Sequence, residues 1–376
     1  MKGGNYMLNT EKGKRLLIAR FVLCTTLIML FLYDPAESSR ELGRGLSLCA
    51  GTLIPTLFPF MVISEILVRA DIASFISPIL SKPMKVLLGV SGSGAAALIL
   101  GLICGFPVGG KTAAALYERG DISKTDAERL MSFCNLPSAP FMIFAVGEKL
   151  FGSRELGVFL YLNVLAVTLI CGILLNFIKG RKRPGFYPEK QSPISESLSM
   201  IRIFTESVTS AAWSTVNVCA YVAFFTCAVG SLGNVFAGFG EHFRVILFSF
   251  FELTSGSAAC SSLGQRQIGV ILASAAAGWS GLSVFFQIFS LTRTARGDIS
   301  MKDYLASKTL AAILCPSITL IAIRIRPSLF PNTLPDSDAF LRMPYFPAHF
   351  ISGINIIFIL SLLIYLYKEL DRRRKI

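Results

Sequence analysis

The stretch Gly105-Phe106-Pro107-Val108-Gly109-Gly110-Lys111 interrupts a long apolar segment with one proline and three glycines. Proline ends a helix, and the glycines let another group approach the backbone of the helix that follows. The amides and the dipole at the start of that helix attract an anion, and Lys111 adds a positive charge. The alternative is that Gly109 and Gly110 only allow close helix packing while Lys111 extends to the membrane interface. Both interpretations place a broken helix here.

The composition around this stretch is that of a membrane protein. The 376 residues are 53% hydrophobic and 16% charged, and the mean hydropathy is +0.62. At about 1.5 Å per residue, several apolar runs are long enough to cross a hydrocarbon core of about 30 Å. We therefore predict an all-α polytopic membrane protein. The apolar segments lie at about 16–33, 46–68, 86–106, 131–151, 156–178, 207–231, 243–260, 268–291, 305–323 and 350–367.

A stretch rich in charge, proline and serine, 179–199, separates two sets of these segments and resembles a linker between halves. The basic N-terminus and the basic cluster at 179–183 share the cytoplasmic side only if one of the first five segments is a re-entrant hairpin, which we expect. The predicted organisation is an N-terminal tail and first membrane helix at 1–45, a first repeat at 46–178, a basic linker at 179–206, a second repeat at 207–323, and a loop, last membrane helix and basic tail at 324–376.

The pentamer Arg-Gly-Asp-Ile-Ser occurs twice, at 119–123 and at 296–300. A glycine cluster precedes each copy, a capping-box pattern begins at its serine, and a polar, proline-containing interruption follows at 134–138 or 315–317. We interpret this order as two inverted-type repeats with discontinuous helices. Broken helices at corresponding places of two halves are typical of the binding site of a secondary transporter.

Charge and cysteine usage exclude several function classes. The net charge is +13, but the basic residues form short clusters beside apolar runs, which indicates membrane anchoring and no binding of nucleic acid. The nine cysteines contain no CxxC pair, and two histidines are too few for a histidine metal centre or a Ser-His-Asp triad. We predict no enzymatic activity, no metal and no cofactor.

Glu252 lies where an apolar run changes into small hydroxyl residues, so its charge should be paired, protonated or hydrated. As a functional group, it would bind a coupling cation or a proton beside Thr254 and Ser255; as a structural group, it would cap a half-helix. Polar side chains at the other interruptions would hydrogen-bond a solute. The predicted substrate-binding residues are Gly105, Phe106, Pro107, Gly109, Gly110, Lys111, Asn135, Ser138, Glu252, Thr254, Ser255, Ser280 and Gln287.

Several of these motifs resemble the Gate, or nucleoside-recognition, domain family of bacterial membrane proteins, and within it the YlbJ group of sporulation membrane proteins. The resemblance covers about 50 to 320 and is carried mainly by the stretch at 105–111 and by Glu252-Leu253-Thr254-Ser255-Gly256. It implies a fold like that of nucleoside transporters, with hairpins and discontinuous helices. It also implies a role in endospore formation, in which dipicolinate leaves the mother cell.

Our hypothesis is a secondary transporter of a small organic anion, with dipicolinate as the cargo that the resemblance implies. The alternatives are a nucleoside or ion carrier of the same family and a non-transporting membrane scaffold in sporulation. The expected partners are the small-molecule solute and the lipid bilayer. The expected location is the bacterial cell membrane, including the mother-cell-derived membrane around the forespore.

Overall fold

The computed structural model describes residues 11–70, 78, 80–179 and 199–330. The predicted last membrane helix at 350–367, the basic tail, nearly all of the linker at 179–199 and the proline-rich part of the loop after 330 lie outside these residues. The described chain is helical and contains no strand. This confirms the predicted all-α polytopic membrane class.

The first half of the chain contains α1 to α7. Their bounds are Glu11–Tyr33 (α1), Pro35–Leu48 (α2), Ile54–Arg69 (α3), Ala95–Cys104 (α4), Val108–Arg119 (α5), Lys124–Phe133 (α6) and Arg154–Ile178 (α7). Three π-helical stretches add to these helices, at Cys49–Leu53, Met84–Leu88 and Phe141–Leu150.

The second half of the chain contains α8 to α13. Their bounds are Met200–Val235 (α8), Glu241–Phe251 (α9), Leu253–Ser261 (α10), Arg266–Trp279 (α11), Leu282–Ser290 (α12) and Lys302–Ile325 (α13). Short 3-10 turns lie at Gly92–Gly94, Ala237–Phe239 and Pro327–Leu329.

Five helical segments of the described chain are long and apolar enough to cross a membrane: Lys14–Tyr33, Arg154–Ile178, Met200–Gly233, Arg266–Ser290 and Lys302–Ile325. A sixth is a pair bent by 98°, Leu80–Leu88 with Gly92–Cys104, which is a broken span or a re-entrant loop. With 36 residues, α8 measures about 54 Å and is therefore longer than the hydrocarbon core.

The bundle has two ends, which we name by one residue of each. At the Asp121 end, the two Arg-Gly-Asp-Ile-Ser loops touch: Tyr117 Oη donates to Arg296 O at 3.1 Å, and Arg296 Nη1 donates to Tyr117 O at 2.7 Å. At the Phe151 end, Arg266 Nη2 donates to Phe151 O. The segment from α6 through Phe141–Leu150 runs from the Asp121 end to the Phe151 end, and α11 with α12 runs back. The two broken helices are therefore antiparallel.

Each half also contains a hairpin of two short helices. The arms α4 and α5 pack against each other, as do α9 and α10. Ser91 N donates to Asp126 Oδ2 at 3.3 Å, which places the start of the first hairpin at the Asp121 end. The arm α10 ends just before Arg266, at the Phe151 end. The hairpins thus enter from opposite ends, whereas the inverted-repeat relation of the two halves stays a prediction.

The structure corrects the role that we assigned to the repeated pentamer. Its first copy joins a hairpin to a broken helix, whereas its second copy joins a broken helix to α13, so the copies do not occupy equivalent places. Local turn chemistry accounts for the glycine that the two copies share. Gly120 ends α5 in the left-handed region at φ 87°, and Gly297 has φ 121°, which are conformations that favour glycine.

Two further predictions about the second copy are wrong. Met301, not Ser300, is the N-cap residue of α13, although Ser300 Oγ accepts from Lys302 N at 3.4 Å; Asp303 forms an ion pair with Lys179 instead of closing a capping box. The predicted interruption at 315–317 is absent, since α13 continues through Pro316. Packing against neighbouring helices lets a membrane helix retain a proline. One such contact lies beside it, where Asn163 Nδ2 donates to Cys315 O at 2.9 Å.

Candidate functional site

The tip of the first hairpin docks against the break in the first broken helix. Residues 105–107 separate α4 from α5, and 134–138 separate α6 from Phe141–Leu150. Phe106 N donates to Leu136 O at 3.0 Å. Gly105 has φ 74°, and a Cβ there would lie 2.5 Å from Ser138 N, so only glycine allows this approach.

The second hairpin and the second broken helix meet in the same way. Glu252 separates α9 from α10 in an extended conformation, and Ser280 and Gly281 separate α11 from α12. A Cβ on Gly281 would lie 3.0 Å from Leu253 N and 3.2 Å from Phe251 O. Ser280 has φ 74° and is the one non-glycine residue of the described chain with a left-handed backbone.

A small cavity lies where the hairpin breaks and broken helices from both halves come together. Its volume is about 30 Å³, enough for one or two water molecules. The described residues that line it include no basic side chain. They are Leu53, Leu57, Phe106, Ser138, Phe141, Val218, Val222, Glu252, Leu253, Thr254, Val284 and Gln287.

Glu252 is both a wall of the cavity and a helix cap. Its side chain is 1% exposed, and its carboxylate accepts from Thr254 N at 3.0 Å and from Ser255 N at 2.5 Å. These bonds satisfy two of the free amides at the start of α10, where the helix dipole also favours a negative charge. The geometry therefore matches the structural reading of Glu252, and its position in the wall leaves the carboxylate next to any solute.

Gln287 gives the cavity an unsatisfied polar atom. Its Nε2 donates to Ser283 Oγ at 3.3 Å, whereas its Oε1 is buried and has no hydrogen-bond partner. A buried acceptor without a partner is unfavourable by about 1–3 kcal/mol until a donor reaches it. Water or a solute with an N–H or O–H group would supply that donor.

The glycines that follow the first break pack closely and do not line the cavity. A Cβ on Gly101 or on Gly109 would overlap the carbonyl oxygen of Cys134, which lies between the two glycines. Gly110 N donates to Asn135 Oδ1 at 3.0 Å, so the side chain of Asn135 occupies an amide that an anion would need. This contact geometry agrees with the packing alternative for Gly109 and Gly110.

Lys111 lies away from the cavity. Its ammonium forms an ion pair with Glu65 of α3 and donates to Ser210 Oγ at 2.9 Å and Ser214 Oγ at 3.1 Å of α8. These contacts join the hairpin arm α5 to two long helices.

The structure thus brings five of the predicted binding residues together at the cavity: Phe106, Ser138, Glu252, Thr254 and Gln287. The others surround the breaks without lining it. They are Gly105, Pro107, Gly109, Gly110, Lys111, Asn135, Ser255 and Ser280. The hydroxyl of Ser255 forms a hydrogen bond with that of Thr226 at 2.8 Å.

One buried residue was not among the predicted site residues: Lys308, a cation in the apolar segment 305–323. It is 1% exposed, and its Nζ donates to Ser280 Oγ at 2.9 Å, directly behind the second broken helix. The available signal was the ionisable residue inside a membrane segment, which is rare and usually faces the protein interior.

Comparison with known proteins agrees with this architecture. Residues 50–178 match the family described as Gate, nucleoside recognition. Over 345 residues, the chain is 27% identical to the sporulation integral membrane protein YlbJ of Bacillus subtilis (strain 168), a match that covers 81% of this chain and 82% of the relative. The chain is therefore an integral membrane protein that is similar to the Gate, or nucleoside-recognition, family over residues 50–178 and to YlbJ over most of its length.

Proposed function

We propose that this protein is a secondary transporter that carries a small organic anion, dipicolinate, out of the mother cell during endospore formation. The observation that supports transport is the meeting of two hairpins and two broken helices at one largely apolar cavity that contains a few polar side chains. Unwound backbone persists inside a membrane only where protein, water or a solute satisfies it. In secondary transporters, discontinuous helices of this kind form the substrate site.

The sporulation context comes from the relative YlbJ, a sporulation integral membrane protein by name, and we extend it to this chain. Dipicolinate is a flat ring with two carboxylates. The rings of Phe106 and Phe141 and the hydroxyls of Ser138 and Thr254 line the cavity and suit such a solute. A cavity of about 30 Å³ does not hold it, so the breaks must separate before cargo binds.

A nucleoside is the second candidate cargo, and the lining favours it. Glu252 and the unpartnered Oε1 of Gln287 are acceptors, and no basic side chain among the described residues lines the cavity. Acceptors attract the N–H and O–H donors of a nucleoside and repel a carboxylate. The acceptors in the cavity wall therefore favour binding of a nucleoside and disfavour binding of dipicolinate.

The test is uptake of labelled dipicolinate into proteoliposomes, with uridine as the second solute and empty liposomes as the blank. Saturable uptake of dipicolinate that uridine does not inhibit supports the proposal. Saturable uptake of uridine alone assigns the nucleoside as cargo. A folded protein that moves neither solute contradicts this transport role and favours a membrane scaffold.

A matched pair of variants tests the cavity itself. We expect Gln287→Leu to lower the uptake of uridine at least tenfold, because it removes the unpartnered Oε1 that accepts from a nucleoside N–H or O–H, and not to lower the uptake of dipicolinate. Gln267→Leu is the control, since Gln267 lies at the Phe151 end and donates to Phe330 O at 3.0 Å. Equal uptake of uridine by the two variants would remove the cavity from the transport path.

A further inference from the structure

Lys308 is a buried charge without an acidic partner. No carboxylate of the described residues forms an ion pair with it. Its nearest polar contact is the hydroxyl of Ser280, and its ammonium lies 5.7 Å from the centre of the Tyr304 ring. Its titratable neighbours are the buried thiols of Cys134, Cys171 and Cys315. An unpaired charge in such a place is unfavourable unless something in the fold compensates it.

The compensation available is the carboxyl ends of two half-helices. Ser280 directly follows α11, so the ammonium lies at the negative end of that helix. The neighbouring residue, Ser307, donates to Ser132 O at 2.6 Å in the last turn of α6. Lys308 is thus placed where the first halves of both broken helices end.

Half-helix carboxyl ends and unwound carbonyls are the groups that hold a coupling cation in many secondary transporters. We propose that the ammonium of Lys308 is a fixed internal cation that occupies this position, so that the carrier neither binds nor requires a sodium ion there. This inference rests on the proposed transport function for its meaning, although the occupancy of the position is testable without cargo.

The position also explains the strained serine. Ser280 Oγ accepts from Lys308 and lies 3.3 Å from Ala277 O, to which it donates. Glycine would be the ordinary residue at φ 74°, but glycine has no hydroxyl to offer the ammonium. The internal cation therefore accounts for a non-glycine residue in a left-handed conformation next to Gly281.

The test compares thermal unfolding of the full-length protein, Lys308→Ala and Lys308→Met in lipid nanodiscs. Each is measured in choline chloride, then with sodium or methylammonium chloride at constant ionic strength. The alanine variant leaves a space at the position, whereas methionine fills it without charge. We expect Lys308→Ala to unfold roughly 5 °C or more below the wild type. Sodium or methylammonium should restore at least half of the lost unfolding temperature in Lys308→Ala. Neither cation should raise the unfolding temperature of Lys308→Met.

Specific stabilisation of the wild type by sodium would overturn the inference, as would equal responses of Lys308→Ala and Lys308→Met to the added cations. If Lys308→Ala does not fold, the wild type decides: its uptake and unfolding should be the same in sodium and choline. Uptake that requires sodium would contradict the proposal of an internal cation and would support the proposal of transport. Cation recovery of Lys308→Ala in a protein that moves no cargo supports the internal cation and contradicts the transport proposal.

Discussion

At the residue scale, Gly109 is defined by what it touches. Because a Cβ there would overlap the Cys134 carbonyl, Gly109→Ala must push α5 away from the first broken helix. We expect a loss of about 1–3 kcal/mol in the free energy of unfolding, measured by chemical denaturation in detergent. Gly43→Ala is the control, since nothing lies within 4 Å of a Cβ at that helical position. A stable Gly109→Ala protein would contradict the close approach.

Glu252 is the second residue whose role is testable, because one carboxylate caps α10 and borders the cavity. Glu252→Gln keeps the shape, but its single oxygen can satisfy only one of the two amides well. We expect a loss of about 1–2 kcal/mol in the free energy of unfolding, together with reduced uptake. Glu155→Gln is the control because Glu155 is an exposed acid in the first turn of α7. Equal stability of the two variants would leave Glu252 without a capping role.

At the element scale, the Lys111–Glu65 ion pair joins the hairpin arm α5 to α3. The pair is partly shielded, with 35% and 16% of the two side chains exposed. We expect a double-mutant cycle with Lys111→Met and Glu65→Gln to give a coupling energy of about 0.5–1 kcal/mol, since partial exposure weakens the pair. Thermal unfolding of the four proteins measures it. Strictly additive effects would mean that the pair does not hold the hairpin.

At the scale of the whole molecule, the two ends of the bundle predict a sidedness. In a Cys24→Ser background, Lys124→Cys and Asp298→Cys should react with an impermeant maleimide from the same side of the membrane. Both positions are exposed and lie at the Asp121 end, where the two loops touch. Glu155→Cys, at the Phe151 end, should react from the opposite side. Labelling of all three from one side would contradict the antiparallel arrangement.

The sequence predicts where the helices of this molecule break better than it predicts which breaks pack against each other. A Gly-Phe-Pro run between apolar segments specifies a local interruption, and an acid before small hydroxyl residues specifies a cap, because both effects act within one helical turn. Which break lies against which depends on packing between residues far apart in the chain. The repeated pentamer was a poor guide because two unrelated turns need the same left-handed glycine.

Lys308 also shows that the sequence does not predict long-range contacts. One lysine in an apolar run marks a buried site, but only the fold places its ammonium behind Ser280 and beside the end of α6. Lys111 had the same charge and a more suggestive motif around it, yet its partner is Glu65 of α3. Charge alone did not distinguish a lysine that ties two elements together from one inside the bundle.

The antiparallel course of the two broken helices has a consequence for vectorial flow. If the proposed transport is right, hairpins that enter from opposite ends of the bundle would present one hairpin to each compartment, and no element of the described chain would favour movement in one direction. Net movement then follows the concentration difference of the solute and any ion coupled to it. A cell that synthesises the solute on one side of the membrane and sequesters it on the other would thereby set the direction of net movement. The protein itself would work reversibly.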